Sequence, residues 1–419
     1  MLHSRLHSSA CPPDAPKTAL PDGASSAQRL LPEALAEQPE AGVSLWTDSG
    51  SVTLNALQPL TNLDLIGRQA EFQRIVQVLA RDGDLLITGV PGSGRRTLVR
   101  RAAQEVGAWV LEVDCIRVTD GERFVHLLCE SLDQTFRSEP AQALIRGWVE
   151  KTAADWLVLT VDAKGEQRLR PVRGLARDQL WNAFEALIQL PQILAEFLNG
   201  QVVLSLPSFP HIRSWDRNRE WETFLRQEIQ RQTRVSYVLV ATIAEISSQP
   251  DEALESLQLN PLPDEVLAAW VQKVFAAQGL TFDPLDQALD LFLTAVQGHL
   301  GDALALARRL HSLQVPKGLI GRQQVEQALQ GLLADLSAIF ESLLLLLPAS
   351  QVQLLECLAT DPTDKPQSRE YIHKHCLSRG GSLQGALAGL QQKGLLYGSD
   401  QGYRLALPLL ALWIRERLI

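Results

Sequence analysis

The sequence lacks the features of secreted and membrane-spanning proteins. Its five cysteines are an odd number without a C-x-x-C pair, which favours free thiols in a reducing cytosol over a disulfide framework. No apolar run approaches the ~20 residues needed to span a bilayer. The first residues, Met1-Leu2-His3-Ser4-Arg5, are not followed by the apolar core of a signal peptide. We therefore expect a cytoplasmic protein that does not contact a membrane.

Positive charge is also scarce. The chain has 39 Lys and Arg against 48 Asp and Glu, a net charge of −9. This balance argues against a protein that coats nucleic acid through bulk charge, so any such contact would be local. The length of 419 residues is sufficient for about two to three domains.

The most informative stretch is a glycine-rich turn between an apolar strand, Leu85–Thr88, and a helix. Gly89 and Gly94 have the spacing of the phosphate-loop pattern G-x-x-x-x-G-K-[ST]. Arg95 stands in the lysine position and Arg96 in the position of the magnesium-binding hydroxyl. We predict that this loop binds phosphates through its own residues, which are Gly89, Val90, Pro91, Gly92, Ser93, Gly94, Arg95, Arg96 and Thr97.

Strands and helices alternate from the loop to about residue 245, which predicts an α/β domain with a parallel sheet. The pattern predicts no strand between Pro250 and the C-terminal domain, where a small hairpin closes a compact unit of three helices, a winged-helix arrangement. The predicted domains are a disordered leader (1–58), a P-loop nucleotide-binding domain (59–248), a helical lid (249–335) and a winged-helix domain (336–419).

Several motifs along residues 60–419 resemble those of the archaeal-ATPase-type P-loop ATPases, within the AAA+/STAND group. Besides the loop, they are Ile66-Gly67-Arg68 with Glu71, Gly298-His299, and Tyr403-Arg404-Leu405. The resemblance implies an AAA+-like P-loop fold that binds ATP or ADP. It places Ile66, Gly67 and Arg68 near the adenine and Thr242 after the sensor strand.

The chain departs from this family where hydrolysis takes place. Pro207-Ser208 stand where the family has Asp-Glu, the residues that hold magnesium and orient the attacking water. Phosphoryl transfer needs both functions, so we predict a pseudo-ATPase without catalytic or metal-binding residues. It would bind nucleotide through Arg95 and Arg96, with or without Mg²⁺. Asp114 or Asp162 could replace the missing acid, although both more simply cap strand ends.

The partner of the winged helix stays open. Residues 344–419 contain eight Lys and Arg against six Asp and Glu, and DNA binding through Ser382–Lys393 and docking to a protein are both compatible with this. We expect Trp413-Ile414 to pack inward. The predicted function is a nucleotide-sensing or structural adaptor. One alternative is an active ATPase completed by a neighbouring subunit in a homo-oligomer. The other is a DNA-binding regulator that uses the P-loop domain only for assembly.

Overall fold

The computed structural model describes residues 65–242, 254–313, 318–398 and 402–418, which all lie in a unit that begins at Leu54. Its strands, in chain order, are β1 (Leu85–Gly89), β2 (Trp109–Glu112), β3 (Leu157–Val161), β4 (Gln167–Pro171), β5 (Val202–Leu206), β6 (Val235–Ala241), β7 (Glu255–Leu259), β8 (Thr281–Phe282) and β9 (Leu319–Ile320). Its helices, in chain order, are α1 (Gln69–Leu79), α2 (Arg95–Glu105), α3 (Gly121–Thr135), α4 (Glu139–Trp148), α5 (Arg177–Phe197), α6 (Glu220–Ile229), α7 (Asp264–Ala276), α8 (Ala288–Val296), α9 (Leu300–Ser312), α10 (Arg322–Leu345), α11 (Ala349–Thr360), α12 (Arg369–Lys374), α13 (Gly381–Gln392) and α14 (Pro408–Leu418). The predicted leader and its suggested helix near residues 30–36 lie outside the described residues.

A parallel sheet of five strands in the order β2-β5-β6-β1-β7 forms the centre of the α/β part. The strands are apolar because helices cover both faces of the sheet. In β6, Val238 and Val240 pack on the side of α1 and α2, whereas Tyr237 and Leu239 pack on the side of α3 and α5. The alternation follows from the two-residue period of a strand. The parallel α/β fold predicted from the sequence is confirmed.

The prediction that no strand lies between Pro250 and the C-terminal domain is wrong. β7 pairs in parallel with β1 from Leu85↔Glu255 to Gly89↔Leu259, so the central sheet extends past residue 248, the expected end of the domain. β8 and β9 form a further short pair. β7 alternates polar and apolar residues because it is an edge strand of the sheet.

The lid and the winged-helix domain share one apolar core. α7, α8 and α9 form the lid, and α10 leads from it to α11, α12 and α13. The wing is a short antiparallel pairing of Leu396 with Leu405, and α14 follows it. Trp413 packs against Phe340 with the ring centroids 5.7 Å apart, and its indole N–H donates to Ser337 Oγ at 3.0 Å. The predicted inward packing of the tail is confirmed.

By length and composition alone, α10 could cross a membrane. Few residues of its most apolar 18-residue segment are buried. Several of its residues, Leu332, Leu333 and Phe340 among them, nevertheless belong to the core shared by the lid and the winged-helix domain. Its exposed Asp335 and Glu341 form ion pairs with Arg309 and Arg417. These contacts are those of a helix in a folded domain.

Asp84 precedes β1, and its carboxylate accepts a hydrogen bond from the Tyr237 N–H at 2.7 Å. Burial raises the pKa of Asp84 from 3.8 to about 7, against the lowering effect of this hydrogen bond. Between these two pKa values the folded chain holds a proton that the unfolded chain has released, so the folded state loses stability as pH rises. We expect Asp84→Asn to raise the urea midpoint at about pH 8 relative to the native chain. The decrease of the midpoint between about pH 5 and about pH 8 should be smaller in this variant than in the native chain.

Circular dichroism measures these midpoints, and Asp178→Asn, a change at an exposed residue of α5, serves as the control. A decline with pH that persists unchanged in Asp84→Asn would contradict the role given to the half-buried Asp84 carboxyl.

Candidate functional site

The glycine-rich turn forms a phosphate loop between β1 and α2. Gly92 and Gly94 have φ values of +83° and +93°, a region that residues with a Cβ rarely adopt. Gly94 caps α2, so the first N–H groups of that helix have no partner within it. These donors and the positive end of the helix dipole are suited to an anionic group such as a phosphate.

Arg95 is bound to the central sheet. Its guanidinium donates to the Ala241 carbonyl at the end of β6, the strand next to β1. Burial, and then the charge of Arg96, lowers the pKa of Arg95 to about 10, so the group remains a cation at neutral pH. Arg95 therefore ties the loop to the sheet, whereas the sequence suggested a direct phosphate ligand.

Arg96 lies between two carboxylates. Its guanidinium nitrogens lie 2.6 Å from Glu112 Oε1 and 3.1 Å from Asp114 Oδ2, and Arg100 pairs with the same Glu112 oxygen at 2.9 Å. Burial alone would lower the pKa of Arg96, but the hydrogen bonds and charges of the two carboxylates raise it overall. The Arg96 guanidinium thus neutralises the carboxylates of Glu112 and Asp114.

β5 ends without a carboxylate among the described residues. Pro207 is buried and its carbonyl accepts the Cys115 N–H at 2.9 Å, while Ser208 has a positive φ of 55°. Asp114 caps the short helical turn Cys115–Arg117, and Asp162 accepts the N–H groups of its own hairpin turn. Both acids are therefore capping residues, the simpler of the two roles that the sequence left open.

A cavity of about 250 Å³ lies beside the loop. About half of the residues that line it are apolar. They come from the segment before α1, the loop, the first turn of α2 and the lid helix α9: Leu65, Ile66, Arg68, Gly92, Ser93, Gly94, Thr97, Leu98, Leu300 and Leu304. The volume is slightly below the ~300–1,000 Å³ of most small-molecule sites. Among the described residues, the buried Ser93 Oγ and Arg68 Nε have no hydrogen-bond partner. These two unsatisfied atoms favour a polar ligand in the cavity.

The residues before α1 join this cavity to the lid. Arg68 is buried, pairs with Glu71 at 2.8 Å and donates to the Asn260 carbonyl. Gly67 has a φ of +60°, and a Cβ there would lie 2.2 Å from a methyl group of Val266 in α7. The motif assigned to the adenine side therefore also holds the lid against the sheet.

The lid contacts the loop through His299. Its Nε2 lies 2.7 Å from the Pro91 carbonyl, and its Nδ1 accepts the Asp302 N–H at 3.1 Å. Burial alone would lower the pKa of His299, but Asp302 and the Pro91 carbonyl raise it overall. A Cβ on Gly92 would lie 2.8 Å from the imidazole. The lid and the loop are thus in direct contact.

The winged-helix domain contacts the other side of the loop. Val90, Tyr397 and Ala406 form a separate buried apolar cluster. A Cβ on Gly394, which has a positive φ, would lie 2.9 Å from the Pro91 ring. Burial raises the pKa of Tyr397 to about 12, against the lowering effect of the charges of Arg404 and Arg68. The wing therefore packs on the loop itself.

Two further hydrogen bonds hold the winged-helix domain, one to the end of β6 and one to the lid. Thr242, which follows the sensor strand β6, donates through its hydroxyl to the Gln392 carbonyl at the end of α13, at 3.0 Å. Asp302 of the lid accepts the Leu409 N–H of α14 at 3.0 Å. The hydroxyl of Thr242, which the resemblance places after the sensor strand, therefore binds the winged helix.

The cavity brings together Ile66, Arg68, Gly92, Ser93, Gly94 and Thr97 of the predicted site. The other predicted residues contact the sheet, the lid or the winged helix, and they are Gly67, Gly89, Val90, Pro91, Arg95, Arg96 and Thr242. Sequence reasoning missed Leu300 and Leu304, whose four-residue spacing directly after Gly298-His299 was an available signal. It also missed Tyr397 and Gly394, for which no local signal exists.

The comparisons with known proteins agree with this architecture. Residues 338–416 match the model of a family described as a probable winged helix domain. A Walker-type ATPase of Pyrococcus abyssi aligns with a TM-score of 0.58 and 14% identity, over 84% of this chain and 96% of that chain. No curated protein sequence matches the chain. The chain therefore has the fold of a Walker-type ATPase with a C-terminal winged helix, as the resemblance implied.

Two further solved structures align over most of their length at TM-scores below 0.5. The Orc1 protein of Aeropyrum pernix in complex with DNA gives 0.45 at 15% identity, over 86% of this chain and 97% of that chain. The Cdc6 protein of Pyrobaculum aerophilum gives 0.43 at 14% identity, over 87% and 99%. At such identities the likeness concerns the fold alone.

The contact between the lid and the loop depends on the absence of a side chain at Gly92. We expect Gly92→Ala to destabilise the chain by about 1–2 kcal/mol from the left-handed backbone alone, with a further loss because the methyl group meets His299. The measurement is the urea midpoint. Gly147→Ala, inside α4 and with no atom near its added Cβ, is the control and should be neutral or stabilising by about 0.5–1 kcal/mol. Equal midpoints for the two variants would exclude a close contact at Gly92.

Proposed function

We propose that this protein is a nucleotide-sensing adaptor that binds ATP or ADP without a metal ion and does not hydrolyse it. The observation that carries the proposal is that the lid and the winged helix both rest directly on the phosphate loop, through His299 and through Tyr397 and Gly394. A ligand that changes the shape of the loop must change these contacts. The occupancy of the loop is therefore coupled to the position of the winged helix.

The nucleotide site has two parts. The cavity between the residues before α1 and the lid helix α9 accepts the base, with Arg68 and Ser93 as polar partners. The loop amides and the first turn of α2 accept the phosphates. Arg95 and Arg96 would have to leave Ala241 and the two carboxylates to reach a phosphate, so the main chain supplies the principal phosphate contacts.

Several features argue against hydrolysis. A divalent metal would meet the Arg96 guanidinium at the position where the resemblance places a hydroxyl ligand, and Glu112 and Asp114 are already neutralised. Pro207 and Ser208, which follow β5, carry no carboxylate that could orient water, and the loss of such a group lowers the rate by roughly 10²–10⁴. A neighbouring subunit in a homo-oligomer could supply a water-orienting residue, but Arg96 would still oppose the metal. The active-ATPase alternative is therefore less well supported.

The winged helix favours a protein contact over DNA. The cations expected to meet DNA phosphates have partners within the chain, since Lys393 Nζ lies 3.2 Å from Gln351 Oε1 and the Arg404 guanidinium lies 5.2 Å from the centre of the Tyr397 ring. The C-terminal end of α13 is held at Thr242. The exposed part of α13 presents Ser382 and Gln384 without a cation. A DNA-binding regulator remains the second candidate, and a cytoplasmic location remains a prediction.

The first test of the proposal is calorimetric titration with ATP and ADP, with Mg²⁺ and with a chelator. We expect the Kd to change less than about threefold when the metal is removed, because the metal's place is held by Arg96. Leu304→Trp fills the cavity and should weaken binding at least about tenfold, that is by ~1.4 kcal/mol. Leu285→Trp, at a residue that is 93% exposed, is the matched control. The rate of phosphate release from ATP should stay at background for the native chain and for both variants.

Each other outcome of the titration has a definite meaning. Loss of binding with chelator would show a metal site and contradict the metal-free proposal. Absence of binding under all conditions would leave a purely structural adaptor. Steady turnover would restore the active-ATPase alternative.

The second test separates the two roles of the winged helix. We expect neither the full chain nor Tyr397→Ala, which releases the wing from Val90, to bind duplex DNA in a fluorescence-anisotropy titration at about 50 and 200 mM salt, because few cations are available to neutralise phosphates. Tyr397→Phe retains the packing and is the control. DNA binding that appears or strengthens in Tyr397→Ala and weakens with salt would favour the regulator instead.

A further inference from the structure

Asp302 of the lid connects the phosphate loop to the last helix of the chain. Its Oδ1 lies 3.0 Å from Nδ1 of His299, and Nε2 of the same ring lies 2.7 Å from the Pro91 carbonyl. Its Oδ2 accepts the Leu409 N–H at 3.0 Å, near the start of α14. His299 and Leu409 are buried. A chain of polar contacts therefore runs from the loop through the lid to the winged-helix domain.

The surroundings of the His299 ring restrict where its protons can lie. A main-chain carbonyl only accepts hydrogen bonds, so Nε2 must carry a proton to bind Pro91. If the ring is neutral, Nδ1 then has a lone pair. This lone pair accepts the Asp302 N–H at 3.1 Å, but it also faces the Asp302 carboxylate 3.0 Å away. Because two acceptors at this distance repel each other, the neutral ring suits Pro91 but not the carboxylate.

Protonation of Nδ1 replaces this repulsion with a charge-assisted hydrogen bond. The imidazolium donates from Nε2 to Pro91 and from Nδ1 to Asp302, and it gives up the hydrogen bond from the Asp302 N–H. Hydrogen bonds between ionised groups are roughly twice as strong as neutral ones, so the exchange favours the cation. The positive end of the α9 dipole opposes the cation, but the negative charge of Asp302 in the first turn of α9 compensates for it.

Asp302 is the only ionisable group in the described part of the chain that shifts the pKa of His299. The loop and α14 face this pair with groups that carry no charge: the Pro91 carbonyl, Gly92 and the Leu409 N–H. Two cations near the wing, Arg68 and Arg404, shift the pKa of Tyr397, but neither shifts the pKa of His299. The charge on His299 therefore depends on Asp302.

We propose that His299 is a proton-dependent latch between the lid and the phosphate loop. When protonated, it binds the loop through Pro91 and the lid through Asp302, which in turn holds α14. When it loses the proton, the Nδ1 lone pair repels Asp302, and the contacts of this carboxylate weaken. The inference goes beyond the proposed function, because it concerns the chain without nucleotide.

The direction of the pH dependence follows from the pKa of His299. Burial alone would lower this pKa, but Asp302 and the Pro91 carbonyl raise it overall from the ordinary value of 6.5. The latch therefore contributes its full stability below about pH 6.5 and loses it as pH rises through the higher pKa of the folded chain.

The first experiment follows His299 by NMR in the full chain with ¹³C-labelled histidine, from about pH 5 to 9. The chain has eight histidines, and the signal that is missing in His299→Gln belongs to His299. We expect it to titrate above pH 6.5, with Nε2 protonated at high pH. In Asp302→Asn, which keeps an acceptor for Leu409 but carries no charge, the titration should move to lower pH.

Asp290→Asn, at an exposed residue of the lid helix α8, is the matched control and should leave the titration of His299 unchanged. A titration at or below pH 6.5 in the native chain, or the same titration in Asp302→Asn as in the native chain, would overturn the proposal.

The second experiment tests whether the proton also affects the contact with α14. Hydrogen exchange of the Leu409 amide is measured at about pH 6 and 8.5 and corrected for the intrinsic pH dependence of exchange. Protection relative to the Phe292 amide should fall at least about threefold at the higher pH in the native chain. It should stay constant in His299→Gln, because glutamine does not titrate.

Phe292 lies in α8, in the core of the lid, so its amide corrects for the loss of global stability that Asp84 causes in part of this pH range. Constant relative protection of Leu409 in the native chain, or an equal fall in His299→Gln, would contradict the latch.

Discussion

The phosphate loop is the surface on which the described domains meet. Pro91 accepts a hydrogen bond from His299 of the lid through its carbonyl and contacts Gly394 of the winged helix through its ring. Val90 lies in an apolar cluster with Tyr397 and Ala406. A loop with backbone groups arranged for an anion is here also a packing surface. Any change in its shape affects contacts with residues that lie two to three hundred positions later in the chain.

The two arginines of the loop also make contacts within the chain. A metal-dependent ATPase gathers carboxylates around a divalent cation that is free to bind and leave. Here Glu112 and Asp114 surround the Arg96 guanidinium, which is part of the chain and is always charged. The Arg95 guanidinium donates a hydrogen bond to the Ala241 carbonyl. Both arginines therefore stabilise the arrangement of the loop. Arg95 and Arg96 thus both have partners within the described part of the chain.

The sequence predicted the features that depend on local patterns. The apolar strands β1, β5 and β6, the glycine spacing of the loop and the three helices of the winged helix all follow from periodicity and turn chemistry. β7 was missed because an edge strand has the alternation of a solvated segment. The partners of Arg95 and Arg96 could not be predicted, since a long side chain takes the conformation that its tertiary neighbours permit. The contacts of His299 and Tyr397 with the loop join distant segments and have no local signature.

The placement of the contacts constrains how the protein can respond to a ligand. Under the proposed function, a nucleotide that favours the present loop shape would stabilise the contacts with His299 and Tyr397. One that requires another shape would weaken both contacts together, because they include Pro91 and Val90. The coupling is reciprocal, so a partner that draws the winged helix away changes nucleotide affinity by the same factor. A coupling of 1–3 kcal/mol corresponds to roughly 5–150-fold in affinity. Under the proposed function, nucleotide binding alone would produce such a coupling, with no need for hydrolysis.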